Sequence, residues 1–216
     1  MNNLQKRIFT SLILIAIVLN CLFISSITWL ILLSIASLIS LYEFFFLIKK
    51  IYKNKFITII VTILSGFYLT YFVISAVDIH DGKGQFFLLF ILLIIIFSDI
   101  GGYAVGKFIG GTKLTKISPN KTISGSLGSF LFSLFPLGLL ILILTFSGID
   151  LRYSYDCYPF CEGISIFFYS GSDMQQGIND GVVLCLVLSF VSQIGDLIIS
   201  YFKRLAKVKD TGKFLP

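Results

Sequence analysis

Charge is what this sequence has least of. Only 13% of its 216 residues are charged, about half the share of an ordinary water-soluble domain. Apolar residues make up 56% of the chain and the mean hydropathy is +0.96, which excludes a soluble globule. Histidine is nearly absent: the single one, His80, falls in a predicted loop beside Asp78 and Asp81 and reads as a solvated side chain rather than a metal ligand. Cysteine is scarce as well. Cys21 and Cys185 fall in apolar runs and read as small packing residues. Cys157 and Cys161, as CYPFC, could join in an oxidising compartment, but with no histidine or second cysteine pair beside them they make no metal site. There is no polar linker, low-complexity tract or clear repeat, so residues 1–216 read as a single membrane domain.

What the sequence has in quantity is long apolar runs. Runs of about 20 residues match the length a helix needs to cross a hydrocarbon core of about 30 Å. Six are legible, at about 8–26, 28–48, 56–77, 86–106, 126–147 and 181–202. The fold class is therefore all-α, a polytopic integral membrane protein. Lys6 and Arg7 give the first run the look of a signal peptide, but no small-residue cleavage site follows and the run is too long. It is expected to stay as the first transmembrane helix.

Placing the N-terminus inside puts 15 of the 17 basic residues on one face, leaving only Lys83 and Arg152 outside with seven acids. The positive-inside rule then sets the orientation. The net charge of +6 is a cytoplasmic rim facing anionic headgroups or phosphorylated substrates, not a nucleic-acid signature. Two loops are long. The outside loop 148–180 carries no catalytic pattern. The inside loop 107–125, KFIGGTKLTKISPNKTISG, has lysines, hydroxyls, glycines and Pro119, which preclude a long helix and leave backbone N–H groups free to hold an anion.

A carboxylate at membrane depth costs roughly 2.5–3.5 kcal/mol on insertion scales, so each one is a functional candidate. Three remain once the loops are set aside: Glu43, Asp99 and Asp196. Glu43, near the inner end of its span, could equally be structural. Asp99 opens SDIGGYAVGKFIGG, where Gly102, Gly106 and Gly110 form small-xxx-small pairs suited to close helix packing. The run GKFIGGTK lacks the Walker ending and a preceding strand, so it is no P-loop. Along the last span, at about 100° per residue, Ser189, Ser192, Asp196, Ser200, Lys203 and Lys207 share one line. A polar stripe running into basic residues suits a Mg²⁺–phosphate site, since Mg²⁺ takes one or two carboxylates plus substrate phosphates and basic side chains hold the remaining oxygens. A serine-bonded packing seam is the plainer alternative.

These residues resemble a known family. SYFKRLAKVKDTGKFLP, residues 200–216, matches S-x-x-K-R-x-x-x-x-K-D-x-G-x-x-L-P, the first half of the signature of phosphatidate cytidylyltransferases. SDIGGYAVG with ISPNKTISG is similar to that family's other marked region. The resemblance is close over about 98–125 and 189–216. It implies transfer of a cytidylyl group from CTP to phosphatidate, giving CDP-diacylglycerol and pyrophosphate. It further implies Asp196 as a Mg²⁺ ligand, with room for a second metal ion. Lys203, Arg204, Lys209 and Asp210 would be the catalytic group, and Asp99, Ser118, Lys121, Thr122 and Ser200 would bind substrate or nucleotide. The implied partners are CTP, phosphatidate and membrane lipid, with no nucleic acid and a homodimer allowed. The implied place is the bacterial inner (plasma) membrane, multi-pass, with a cytoplasmic N-terminus.

Two departures stand out. Position 124 is Ser where the family commonly has an acid. The signature continues with a His-Gly-Gly run and an Asp-Arg-x-Asp cluster, which do not follow Pro216 here. The expectation is a truncated version of a longer protein, inactive or nearly so as it stands. Two other classes stay open: another CTP-dependent lipid enzyme, such as a polyprenol kinase, and a transporter or channel subunit. The transporter class would show inverted repeats, and none is legible.

Overall fold

The computed structural model describes residues 3–115, 118, 121–147 and 174–208, and among these every long element is a helix. Five helical segments, one of them Ile123–Ile143 spanning two short helices, are long and apolar enough to cross a membrane, and a shorter apolar helical stretch, Phe9–Ile24, precedes them. The protein is thus an all-α, multi-pass membrane protein. The chain divides into two compact units, residues 1–85 with 202–216 and residues 86–201.

The first unit contains α1 (Asn3–Ile24), α2 (Ser26–Ile51) and α3 (Lys55–Lys83). The α1–α2 corner is a single residue. Ser25 caps α2 by accepting from the Ile27 N–H at 3.2 Å. Thr28 Oγ1 donates to the carbonyls of Ser25 and Cys21 at 2.7 and 2.8 Å, so the last turn of α1 is tied to the first turn of α2. Asn54 caps α3 in the same way, accepting from Phe56 N–H at 2.9 Å, a side-chain oxygen meeting an orphan N–H. Gly84, at φ +81°, ends α3, a left-handed turn that glycine adopts without steric cost.

His80 departs from its sequence expectation. It lies in α3 rather than a loop, its side chain is 10% exposed, and its Nε2 stands 3.0 Å from the Leu22 carbonyl. The imidazole therefore bridges α3 to α1. Hydropathy alone could not show this, because the run that makes α3 continues past its apolar part to Lys83.

The second unit is formed by α4 (Gln85–Phe108), α5 (Ile123–Ser133), α6 (Phe135–Ser147) and most of α7 (Met174–Leu205). Its core joins Phe90 and Ile94 of α4, Leu137 and Leu140 of α6 and Cys185 of α7. Against α5, α4 packs backbone to backbone. A Cβ added at Gly125 would lie 2.8 Å from the Gly102 carbonyl oxygen, and one at Gly128 would lie 2.8 Å from that of Gly101. Only glycine permits such an approach, as the small-xxx-small pattern requires. Gly106 belongs to this seam, facing Thr122 and Gly125. Gly110 does not: it has φ +65°, Gly111 has φ +106°, and a Cβ added at either would meet no atom within 4 Å. Those two glycines turn the chain out of α4.

The expected span over 126–147 is interrupted. Leu134 separates α5 from α6, and Pro136 stands in the first turn of α6, where its missing N–H leaves no helical bond unmade. Ring stacking of Phe97 on Phe135 at 4.9 Å fixes the join. The last helix begins at Met174, so residues 174–180, expected in the outside loop, are helical. Cys157 and Cys161 lie outside the described residues.

Candidate active site

The loop after α4 folds back on itself as a narrow ribbon. Leu114 N–H donates to the Lys121 carbonyl at 2.8 Å and Ile123 N–H to the Thr112 carbonyl at 3.0 Å, making an isolated antiparallel bridge between Lys113 and Thr122. Ser118 N–H donates to Thr115 Oγ1 at 3.3 Å, and Lys121 N–H to the Ser118 carbonyl at 3.1 Å. The ribbon delivers Thr122 to the N-cap of α5, where its Oγ1 accepts from Gly125 N–H at 3.1 Å. Ser124, the position where an acid was expected, bonds Thr122 Oγ1 at 3.0 Å and donates to the Gly110 carbonyl. Its hydroxyl clasps the two ends of the ribbon together.

This ribbon closes one side of a cavity of about 440 Å³ within the second unit. Five of the sequence-predicted residues meet there: Asp99 from α4, Ser118, Lys121 and Thr122 from the ribbon, and Asp196 from α7. Lys121 Nζ donates to Asp196 Oδ2 at 3.1 Å, with the two side chains 30% and 65% exposed. Asp99 lies close enough to feel both the negative charge of Asp196 and the positive charge of Lys121. By formal charge, two carboxylates against one ammonium leave this lining one negative charge in excess. A nucleotide triphosphate entering it needs added cations.

Behind the cavity runs a chain of polar side chains. Ser126 Oγ donates to Gln193 Oε1 at 2.5 Å, Gln193 Nε2 donates to Ser189 Oγ at 3.4 Å, and Ser189 meets Ser98 at 2.8 Å. Ser98 and Ser189 are fully buried, and the chain joins α4, α5 and α7. Gln193 and Ser126 line the cavity and were missed in the sequence. The signal for Gln193 was partial: one turn after Ser189, it stands about 60° round α7 from Asp196, beside the polar line rather than on it.

The other predicted residues stand elsewhere. Ser200 is half-buried on α7 and is not part of the lining. Lys203 and Arg204 form the last turn of α7 and are counted with the first unit. Lys207, at φ +55°, closes that helix by donating to the Arg204 carbonyl at 3.0 Å. Glu43 is half-buried on α2, in the first unit. Lys209 and Asp210 lie outside the described residues.

For a hard cation the lining offers Asp99 and Asp196 with the hydroxyls of Ser118 and Ser126. Among the described residues no three acids, histidines or cysteines cluster. Two carboxylates suit Mg²⁺, which keeps waters and takes the rest of its oxygens from substrate phosphates. They would not suffice for a caged structural ion. The residues fit a metal that arrives with its substrate.

Residues 46–216 match the cytidylyltransferase family. Phosphatidate cytidylyltransferases of Staphylococcus aureus, Staphylococcus epidermidis and Staphylococcus saprophyticus are 35%, 33% and 30% identical to this chain over 136 residues, 62% of this chain and 41% of each relative. The chain thus spans about two fifths of the length of the curated relatives it matches. No solved structure matches it.

Proposed function

The chain belongs to the cytidylyltransferase family, and from that premise we propose that the protein transfers a cytidylyl group from CTP to phosphatidate. A phosphatidate oxygen attacks the α-phosphorus of CTP, the bond from that phosphorus to the β-phosphate oxygen breaks, and CDP-diacylglycerol and pyrophosphate result. The observation that carries this reading is the meeting of Asp99, Lys121 and Asp196 in one cavity beside an anion-suited loop.

Such transfers proceed mainly by positioning and by neutralising charge. The ribbon holds Lys121 over the cavity, where its ammonium can turn from Asp196 to a nucleotide phosphate. Ser118 stands beside it to fix the phosphate chain, and Thr122, whose hydroxyl proton goes to Ser124, holds the nucleotide-binding loop in place at the N-cap of α5. Asp196, with Asp99 at its side, would hold Mg²⁺, which when bound neutralises phosphate charge and orients the leaving group. Gln193, braced by Ser126 and Ser189, fixes the face of α7 that carries Asp196. Lys203, Arg204, Lys209 and Asp210 are assigned to pyrophosphate binding and metal completion on their sequence pattern. The gathering of basic residues supports a plasma-membrane enzyme with its N-terminus and cavity on the cytoplasmic side, where CTP is found.

Product analysis tests the reaction. Full-length protein in phosphatidate vesicles is given CTP labelled at the α- or the γ-phosphate. Label from the α-phosphate on lipid, as CDP-diacylglycerol, is the expected result. Lipid labelled from the γ-phosphate instead would make the protein a kinase.

A further inference from the structure

Tyr103 lines the cavity and is nevertheless 70% exposed, so its ring stands at the cavity edge on the outer flank of α4. Lys107 Nζ donates to its hydroxyl at 3.4 Å and lies 5.5 Å from the ring centroid. Asp99, Tyr103 and Lys107 recur every fourth residue, each about 40° round the helix from the last. The line starts inside the cavity and ends at an exposed ammonium in the last turn of α4.

On the same flank, about 60° and 100° round from Asp99, Ile96 and Ile100 are 47% and 50% exposed. From Ile96 to Lys107 the helix rises about 16 Å, close to the depth of one leaflet of a core about 30 Å thick. The strip is therefore graded by depth: apolar side chains, then a phenol, then a cation. That is the grading of a lipid with an anionic headgroup.

We infer that this strip docks the lipid substrate, a diacyl phosphate monoester. Its phosphate is held by the Lys107 ammonium and the Tyr103 hydroxyl, and its chains lie along Ile100 and Ile96. A monoester can give oxygens to both donors and keep one directed into the cavity, which a diester headgroup cannot do while leaving a free nucleophile. The inference rests on the reaction proposed above and says where its lipid stands. The nucleotide then occupies the Lys121 side.

Lipid retention tests it without requiring turnover. The protein is placed in phosphatidylcholine nanodiscs doped equally with phosphatidate and phosphatidylglycerol, recovered in detergent, and its bound lipids are weighed by mass spectrometry. The protein should be enriched in phosphatidate over phosphatidylglycerol. Lys107→Gln should lower that enrichment by up to about fivefold, the worth of one lysine near anionic lipid less whatever it also gives phosphatidylglycerol. Lys107→Arg should restore it, and labelled CTP should bind all three proteins equally. Tyr103→Phe removes one oxygen from an exposed ring and should lower the enrichment in the same direction, which keeps the test readable if Lys107→Gln does not insert. Unchanged enrichment in both variants overturns the inference. So does a loss of CTP binding with lipid retention intact, which would give the pair to the nucleotide. Enrichment abolished by excess inorganic phosphate would make this a free-phosphate site and also overturn it. Wild-type protein that retains phosphatidate but binds no CTP would remove the nucleotide reading and leave the lipid strip standing.

Discussion

At the scale of single residues, the contact that matters most joins Lys121 to Asp196. Among the described residues Lys121 is the only basic side chain in the cavity lining, and its ammonium is bound to a carboxylate that the proposed reaction needs for Mg²⁺. Lys121→Ala should therefore act in two directions. Mg²⁺ should bind the nucleotide-free protein more tightly, by about threefold, since a partly exposed ion pair is worth up to about 1 kcal/mol. CTP should bind more weakly, by about tenfold, for the loss of one charge-assisted bond. Calorimetry with each ligand separates the effects, and equal losses of both would make Lys121 a structural brace. Asp196→Asn should remove Mg²⁺-dependent turnover while leaving membrane insertion intact; undiminished activity would end its assignment to the metal. Both residues were legible in the sequence, because a carboxylate at membrane depth and a lysine in a glycine-rich loop each need a reason to be there. Gln193 was passed over because an uncharged amide carries a smaller insertion cost and so a weaker signal. His80 was misplaced because its partner, the Leu22 carbonyl, is a backbone group that no side-chain pattern marks.

At the scale of elements, the helices could be read from apolar run length, and the seam of α4 from its glycine spacing. The break at Leu134 could not, since Phe132 to Leu137 is apolar apart from Ser133 and Pro136 and only packing shows where the helix yields. The ribbon over Lys113–Thr122 was equally hidden, because backbone pairing leaves no period in so short a segment. The glycine seam gives a direct test. Gly128→Val forces α4 and α5 apart, because a Cβ there already lies 2.8 Å from the Gly101 carbonyl oxygen. Overpacking of this kind costs about 1–3 kcal/mol, so the variant should unfold at lower denaturant in micelles and lose CTP affinity as the ribbon shifts. Gly138→Ala meets no atom within 4 Å and sits inside α6. It should be neutral or stabilising by up to about 1 kcal/mol. Equal behaviour of the two variants would refute the close approach.

At the scale of the whole molecule, the charge distribution predicts topology. The start of α4 follows Gly82 and Lys83, and its far end leads to Lys113, so one crossing separates them. In a chain with its own cysteines replaced by serine, Lys113→Cys should react with an impermeant maleimide only after the membrane is opened. Gly82→Cys should react in intact cells. The reverse pattern would put the cavity on the face without CTP. Family membership was legible because its two marked stretches, about 98–125 and 189–216, carry the costly residues. Their meeting in space was not: Lys121 and Asp196 are 75 positions apart, and only the return of α7 beside α4 brings them together.

The lysine bridge has one more consequence. Asp196 cannot take up an ion freely while Lys121 holds it, and Lys121 cannot grip a phosphate while it holds Asp196. Occupation of either position releases the group needed for the other, and such linkage is reciprocal by thermodynamic necessity. The nucleotide should thus sharpen the site's appetite for its ion by the same factor that the ion sharpens it for the nucleotide. On this reading the site without nucleotide holds divalent cations only a few-fold more weakly than unpaired carboxylates would, the worth of one partly exposed ion pair.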